Sequence, residues 1–317
     1  MGREASILFC SRRLGLLQIF SDAVLPVFIM AGIGFIIARA LKLDPWPLSR
    51  ATLYVFSPAL IFTKLAEAEI SPGDVGDILA YLAVWLPLML AVTWIVARRL
   101  RLAGQENAAF TLSALFMNAV NYALPVALFA FGEAGLQRAL LFLAPQAVLQ
   151  ATLAIFIASR GGLGTRQALG AILKIPAFYA TTAGLALNPF NVTLPAPADR
   201  SLAFLGDAAI PCMVLVLGIQ LSRAAFRADL KLAVAVSFLR LAVSPALAFG
   251  VTALLGIGGL TQQVILVVAG MPTAVQTIII ATEFNARPQL VTSAVAVSTL
   301  ASIATVTTLV WLAQRLG

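Results

Sequence analysis

Two stretches of the chain place proline beside amide and hydroxyl side chains inside otherwise apolar runs. The first reads Phe116-Met117-Asn118-Ala119-Val120-Asn121-Tyr122-Ala123-Leu124-Pro125, the second Gly270-Met271-Pro272-Thr273-Ala274-Val275-Gln276-Thr277. Proline removes a backbone donor and clashes with the preceding turn, so each run is expected to break as a helix. The helix that restarts after such a break opens with unpaired amide hydrogens and the positive end of its dipole, which suit a carboxylate. Asn118, Asn121, Tyr122 and Pro125 from one run, with Pro272, Thr273 and Gln276 from the other, are therefore the candidate binding residues for a small anion. The bland alternative is a pair of ordinary proline kinks, with the amides serving as interhelical hydrogen bonds.

Two charges sit deep in apolar sequence. Asp207 lies four residues before Pro211, and Arg240 five residues before Pro245. Each such charge costs about 2.5–3.5 kcal/mol on insertion scales, so it needs a reason. The pair is expected either to neutralise itself as a buried ion pair or, through Asp207, to load and release a proton. Arginine keeps its proton near neutral pH and suits a structural role. Glu283 is expected to pair with Arg287 at a helix end, with Lys64 and Glu133 as similar surface charges.

The elements that must hold these residues follow from composition. Of 317 residues, 61% are hydrophobic and 11% charged, with a mean hydropathy of +0.99. A soluble domain carries roughly 25% charged residues, so lipid must solvate most of this chain. Spanning helices need about 20 apolar residues each, and the runs are too long and too uniform for barrel strands. Ten spans are predicted, at 21–40, 48–69, 76–97, 106–131, 135–158, 168–188, 199–221, 231–255, 262–284 and 289–313. The fold expected is an all-α membrane protein of about ten helices. Its halves, 1–160 and 161–317, form two inverted five-helix repeats, with helices 4 and 9 broken where they cross. Prolines at matching places in the halves, Pro58 with Pro211 and Pro125 with Pro272, carry the repeat, and paired interruptions of this kind point to a transporter site.

The net charge of +8 does not indicate nucleic acid, because the basic residues are scattered between apolar runs. Arg39, Lys42, Arg50, Arg98, Arg99, Arg101, Arg160, Arg166, Lys174, Arg223, Arg227, Lys231 and Arg287 follow odd-numbered spans. Loops after even-numbered spans hold only Lys64, Arg138 and Arg200, beside Glu67, Glu69, Asp74 and Asp77. The positive-inside rule then predicts a multi-pass protein of the inner (plasma) membrane with both termini outside. Cys10 and Cys212 are read as unpaired thiols. The Ser11-Arg12-Arg13-Leu14 start is read as a short tail rather than a twin-arginine signal. There is no histidine, which removes imidazole chemistry and the commonest metal ligand. No catalytic residue, metal or cofactor is expected.

These motifs resemble the auxin efflux carrier family. Asn118, Asn121, Leu124 and Pro125 followed by Gly132 look like its first crossover, and Ala269-Gly270-Met271-Pro272-Thr273-Ala274 followed by Ala281 like its second. Phe56-Ser57-Pro58-Ala59-Leu60-Ile61-Phe62 and Leu239-Arg240-Leu241-Ala242-Val243-Ser244-Pro245 are similar to its spans 2 and 8. The resemblance implies two inverted bundles, elevator-like alternating access, and a substrate carboxylate held at the crossover by Asn118, Asn121, Pro125, Pro272 and Gln276. Ala123 stands where the family often has glycine. The expected cargo is a small organic anion such as malonate, malate or an auxin-like acid, with H+ as the coupling ion and a second copy of the chain as a partner. The alternative in the same class is sodium coupling, as in bile-acid transporters, with Asn118, Gln146, Gln150 and Gln276 as the polar cage. From other classes, an intramembrane enzyme lacks its usual motifs, and a non-transporting membrane sensor lacks a sizeable tail.

Overall fold

The computed structural model describes residues 15–68, 70–159, 175–190, 194–223 and 229–316. Cys10, the Ser11–Leu14 motif, Glu69, Arg160, Arg166, Lys174 and Arg227 lie outside these. The helices are α1 (Leu16–Leu41), α2 (45–66), α3 (Pro72–Arg99), α4 (Gly104–Leu115), α5 (Ala119–Leu140), α6 (Leu143–Ala158), α7 (Pro176–Leu187), α8 (Ala196–Ser222), α9 (Leu230–Leu255), α10 (Gly259–Ala269), α11 (Gln276–Glu283) and α12 (Pro288–Ala313). Six of them (α1, α3, α5, α8, α9 and α12) are long and apolar enough to cross a bilayer alone. The pairs α4/α5 and α10/α11 are the two interrupted spans, so the chain is an all-α membrane protein of about ten helices.

Proline shapes these helices in a repeated way. Widened π-helical turns occur at 20–24, 52–56, 119–123, 150–154 and 239–243. Four of them run directly into Leu25-Pro26, Ser57-Pro58, Leu124-Pro125 and Ser244-Pro245. The missing proline N–H and the clash of its ring with the carbonyl four residues back open the turn by one residue. The turn at 150–154 has no such proline, and nothing in the structure explains it.

The helices pack as two groups. α1, α2, α7 and α8 form a four-helix group, and α3, α4/α5, α6, α9, α10/α11 and α12 form a larger one. In the first, small residues bring backbones together. A Cβ added at Gly218 would lie 1.9 Å from the Ala31 carbonyl oxygen, and one at Gly34 would lie 2.5 Å from that of Leu215. Two polar clamps tie the larger group at its opposite ends. Arg138 Nε lies 3.3 Å from Asp74 Oδ1 and donates to Thr261 Oγ1 at 3.0 Å, while the Thr261 hydroxyl donates to Asp74. At the other end Arg287 pairs with Glu106 and with Asp229, the latter at 3.1 Å. Arg287 thus takes these two carboxylates and not Glu283, which is exposed and has no ion pair among the described residues. Lys64 and Glu133 pair with each other at 3.1 Å.

Candidate functional site

Helix α4 ends at Leu115, and the next three residues are non-helical before α5 begins. Helix α10 ends at Ala269, with Gly270–Val275 non-helical before α11. The two unwound stretches lie side by side as a short antiparallel bridge between Met117 and Thr273. Asn118 N–H donates to the Pro272 carbonyl at 2.8 Å, and Ala274 N–H donates to the Phe116 carbonyl at 2.8 Å. Backbone freed from a helix in lipid must find partners inside the protein, and here each broken span supplies the other's. The crossing is buried: Asn118 and Thr273 are fully enclosed, and Asn121 is 4% exposed.

The side chains divide into those consumed in holding the crossing and those left over. Asn118 Oδ1 caps α5 by accepting from Asn121 N–H at 3.3 Å, while its Nδ2 has no partner. Thr273 is fully used. Its N–H donates to Ser298 Oγ at 3.1 Å and its hydroxyl to the Ser113 carbonyl at 2.9 Å. Tyr122 accepts from Ser302 at 3.1 Å and packs edge-on against Phe28 of α1. Pro125 is the second residue after the widened turn, and Pro272 lends its carbonyl to the bridge. The Asn121 and Gln276 side chains make no hydrogen bond among the described residues; Asn121 is buried and Gln276 half-buried at the start of α11. Gln146 donates to the Met117 carbonyl and keeps a buried Oε1 without a partner. The buried Asn118 Nδ2 and Gln146 Oε1 are groups that a bound polar molecule would satisfy, since a buried unmatched group costs about 1–3 kcal/mol.

Arg240 is the largest fully buried side chain. Its Nε donates to the Met271 carbonyl at 3.3 Å and its Nη1 to the Ala114 carbonyl at 3.2 Å. Its Nη2 donates to the Ala269 and Met271 carbonyls at 2.9 and 3.1 Å. Ala114 and Ala269 end α4 and α10, so one guanidinium caps the negative ends of both half-helices that stop at the crossing. Ser244 Oγ adds a 2.6 Å bond to Ala269, and the Trp85 ring lies 5.9 Å from the guanidinium carbon. The expected ion pair with Asp207 is absent. Asp207 is exposed at a break in α8, within the four-helix group, and has no ion pair among the described residues. Carbonyls at and just beyond two helix ends take the hydrogen bonds of the arginine fork in place of a carboxylate, which leaves its positive charge without an anionic partner among the described residues.

The sequence reading missed Ser113, Ser298, Ser302 and Trp85 as supports of the crossing. The Ser/Thr-rich character of α12 is the signal that could have found two of them, since Ser298 and Ser302 turn their hydroxyls to Thr273 and Tyr122.

An all-helical membrane chain with two spans interrupted and bonded to one another is the architecture of a transport protein. A family model described as membrane transport protein matches residues 19–312, and the chain belongs to that family, the auxin efflux carriers. A protein of Methanothermobacter thermautotrophicus named as an uncharacterised transporter is 28% identical over 295 residues, covering 89% of this chain and 95% of its own. A similarly named protein of Methanocaldococcus jannaschii is 26% identical, covering 92% and 98%. A Rhizobium meliloti protein whose name suggests malonate transport is 25% identical, covering 91% and 94%.

Proposed function

We propose that this membrane transporter is a secondary carrier for a small organic carboxylate, bound where α4/α5 cross α10/α11. The observation that carries the reading is the crossing itself, with Asn118 Nδ2 buried and unmatched in it and a buried Arg240 that no carboxylate among the described residues neutralises. A substrate carboxylate would supply both the missing acceptors and the missing negative charge. Alternating access would come from the larger helix group, which holds all of these residues, moving against the four-helix group. We read 1–160 and 161–317 as inverted repeats, a reading supported by the matched clamps. Each clamp joins an aspartate, an arginine and a residue two places beyond a glycine of positive φ: Gly104 (55°) before Glu106, and Gly259 (59°) before Thr261. The plasma membrane, with both termini outside, remains the location read from loop charge.

Uptake of radiolabelled malonate, malate and related acids into proteoliposomes, with and without a pH gradient, tests the reading. Flux of at least one acid is expected; no flux of any acid under any gradient overturns it. Sodium coupling has its own observation in Gln146 Oε1, a buried oxygen without a donor, and replacing external sodium by choline decides it. Proton coupling through Asp207 predicts that Asp207→Asn abolishes the response to a pH gradient.

A further inference from the structure

A groove of about 420 Å³ opens on the larger helix group, lined by the part of α4 that precedes the crossing. It runs between the end of α3, the start of α4 and the end of α6. Leu90, Trp94, Phe156 and Ile157 form its apolar walls, with Asn107 and Thr111 on the α4 side. Its volume falls within the roughly 300–1,000 Å³ of sites that hold small molecules.

One end of the groove is strongly basic. The Arg98 guanidinium carbon stacks 5.3 Å from the centre of the Trp94 ring, which is itself a wall of the groove. Arg99 follows, and Arg101 occupies the turn three residues before Gly104, another groove residue, with a left-handed φ of 56°. All three arginines are exposed, and none pairs with a carboxylate among the described residues. The nearby Glu106 is engaged by Arg287. The opposite end leads into the membrane. Leu90 lies eight residues before Arg98 on one helix, a rise of about 12 Å, close to the roughly 15 Å depth of one hydrocarbon leaflet. Tryptophan beside arginine at a helix end marks the level of lipid headgroups.

We propose that this groove is a binding site for an anionic phospholipid, with one acyl chain lying along Leu90, Phe156 and Ile157 and the phosphate at Arg98 and Arg101. Asn107 is placed between these zones, at the level of the glycerol esters. Its Oδ1 accepts from Thr111 at 3.4 Å, which leaves the Nδ2 hydrogens for an ester oxygen. Three unpaired arginines at the mouth select for net negative charge, whereas a zwitterionic headgroup brings its own cation to the same place.

Native mass spectrometry of the detergent-purified chain, titrated with dioleoyl-phosphatidylglycerol or dioleoyl-phosphatidylcholine, tests the site. The expected result is tighter binding of the phosphatidylglycerol by about tenfold. Arg98→Gln with Arg101→Gln removes that preference, and Arg39→Gln with Arg50→Gln, at a different basic rim, leaves it intact. Ile157→Trp, which fills the groove without touching charge, lowers occupancy of both lipids. Equal binding of the two lipids by the unaltered chain overturns the proposal, as does a preference that survives the Arg98/Arg101 change, an equal loss in the Arg39/Arg50 control, or occupancy indifferent to Ile157→Trp.

Discussion

Asn118 performs two tasks with one amide, and substitutions can separate them. Its oxygen caps α5 and its nitrogen is unmatched. Asn118→Ser keeps an oxygen at the cap and discards the nitrogen. Asn118→Ala discards both, and the lost cap costs about 1 kcal/mol. If the nitrogen faces substrate, Asn118→Ser raises KM about tenfold, equivalent to about 1.4 kcal/mol, while the unfolding midpoint in detergent stays near that of the parent. Asn118→Ala lowers both affinity and midpoint. A serine variant with parental KM would restrict Asn118 to holding the helix end. Arg240 makes a different case, because its hydrogen bonds go to carbonyls at two helix ends and in the unwound stretch after one of them. Arg240→Gln leaves buried carbonyls unpaired, at about 1–3 kcal/mol each, and also removes the fixed charge, so both stability and anion affinity fall. Arg240→Lys keeps the charge but lacks the planar fork. It loses stability comparably and retains more of the affinity, a split that KM and thermal unfolding measured together reveal.

Among whole elements, α1 and α8 approach closely, and the approach rests on residues without side chains. Gly34 and Gly32 sit two places apart on α1, yet a Cβ at Gly34 would lie 2.5 Å from the Leu215 carbonyl oxygen while one at Gly32 would meet nothing within 4 Å. Gly34→Ala must push the helices apart and is expected to destabilise by about 1–3 kcal/mol. Gly32→Ala gains about 0.5–1 kcal/mol from reduced backbone freedom. Thermal unfolding of the two variants should therefore move in opposite directions. Elements at this scale were largely legible in the sequence. Apolar runs and loop charges marked the spans, and Pro125 and Pro272 marked the interruptions, because lipid forbids most alternatives to a helix. The partners of those interruptions were not legible. That Asn118 N–H meets the Pro272 carbonyl depends on two stretches more than 150 residues apart, and no local pattern encodes which carbonyls a buried arginine will find. Asp207 looked like the partner of Arg240 because charge alone was considered. Orphaned helix-end carbonyls, which carry no sequence signature, took its place.

For the molecule as a whole, the two helix groups meet with little polar attachment. Among the described ion pairs, Lys64–Glu133 is the one that joins them, since Asp74–Arg138, Arg287–Glu106 and Arg287–Asp229 lie within the larger group and Arg223–Asp44 within the smaller. The clamps inside the larger group stand at opposite ends of α3, whose 28 residues span about 42 Å. They bind that group from rim to rim as one body, whereas the Lys64–Glu133 pair is 29% and 57% exposed and worth at most about 1 kcal/mol. A body tied internally and held weakly to its neighbour is suited to sliding, so motion should part Lys64 from Glu133 and leave the clamps closed. The expectation is tested in a chain with Cys10→Ser and Cys212→Ser, carrying Lys64→Cys and Glu133→Cys joined by a short bifunctional thiosulfonate. Cross-linking should stop carboxylate flux in proteoliposomes, and a reducing agent should restore it. Asp44→Cys with Arg223→Cys, joined in the same way inside the smaller group, should leave flux unchanged. Equal flux before and after the Lys64–Glu133 link would mean that the groups do not move against each other at this edge, and access to the crossing would have to come from motion within the larger group instead.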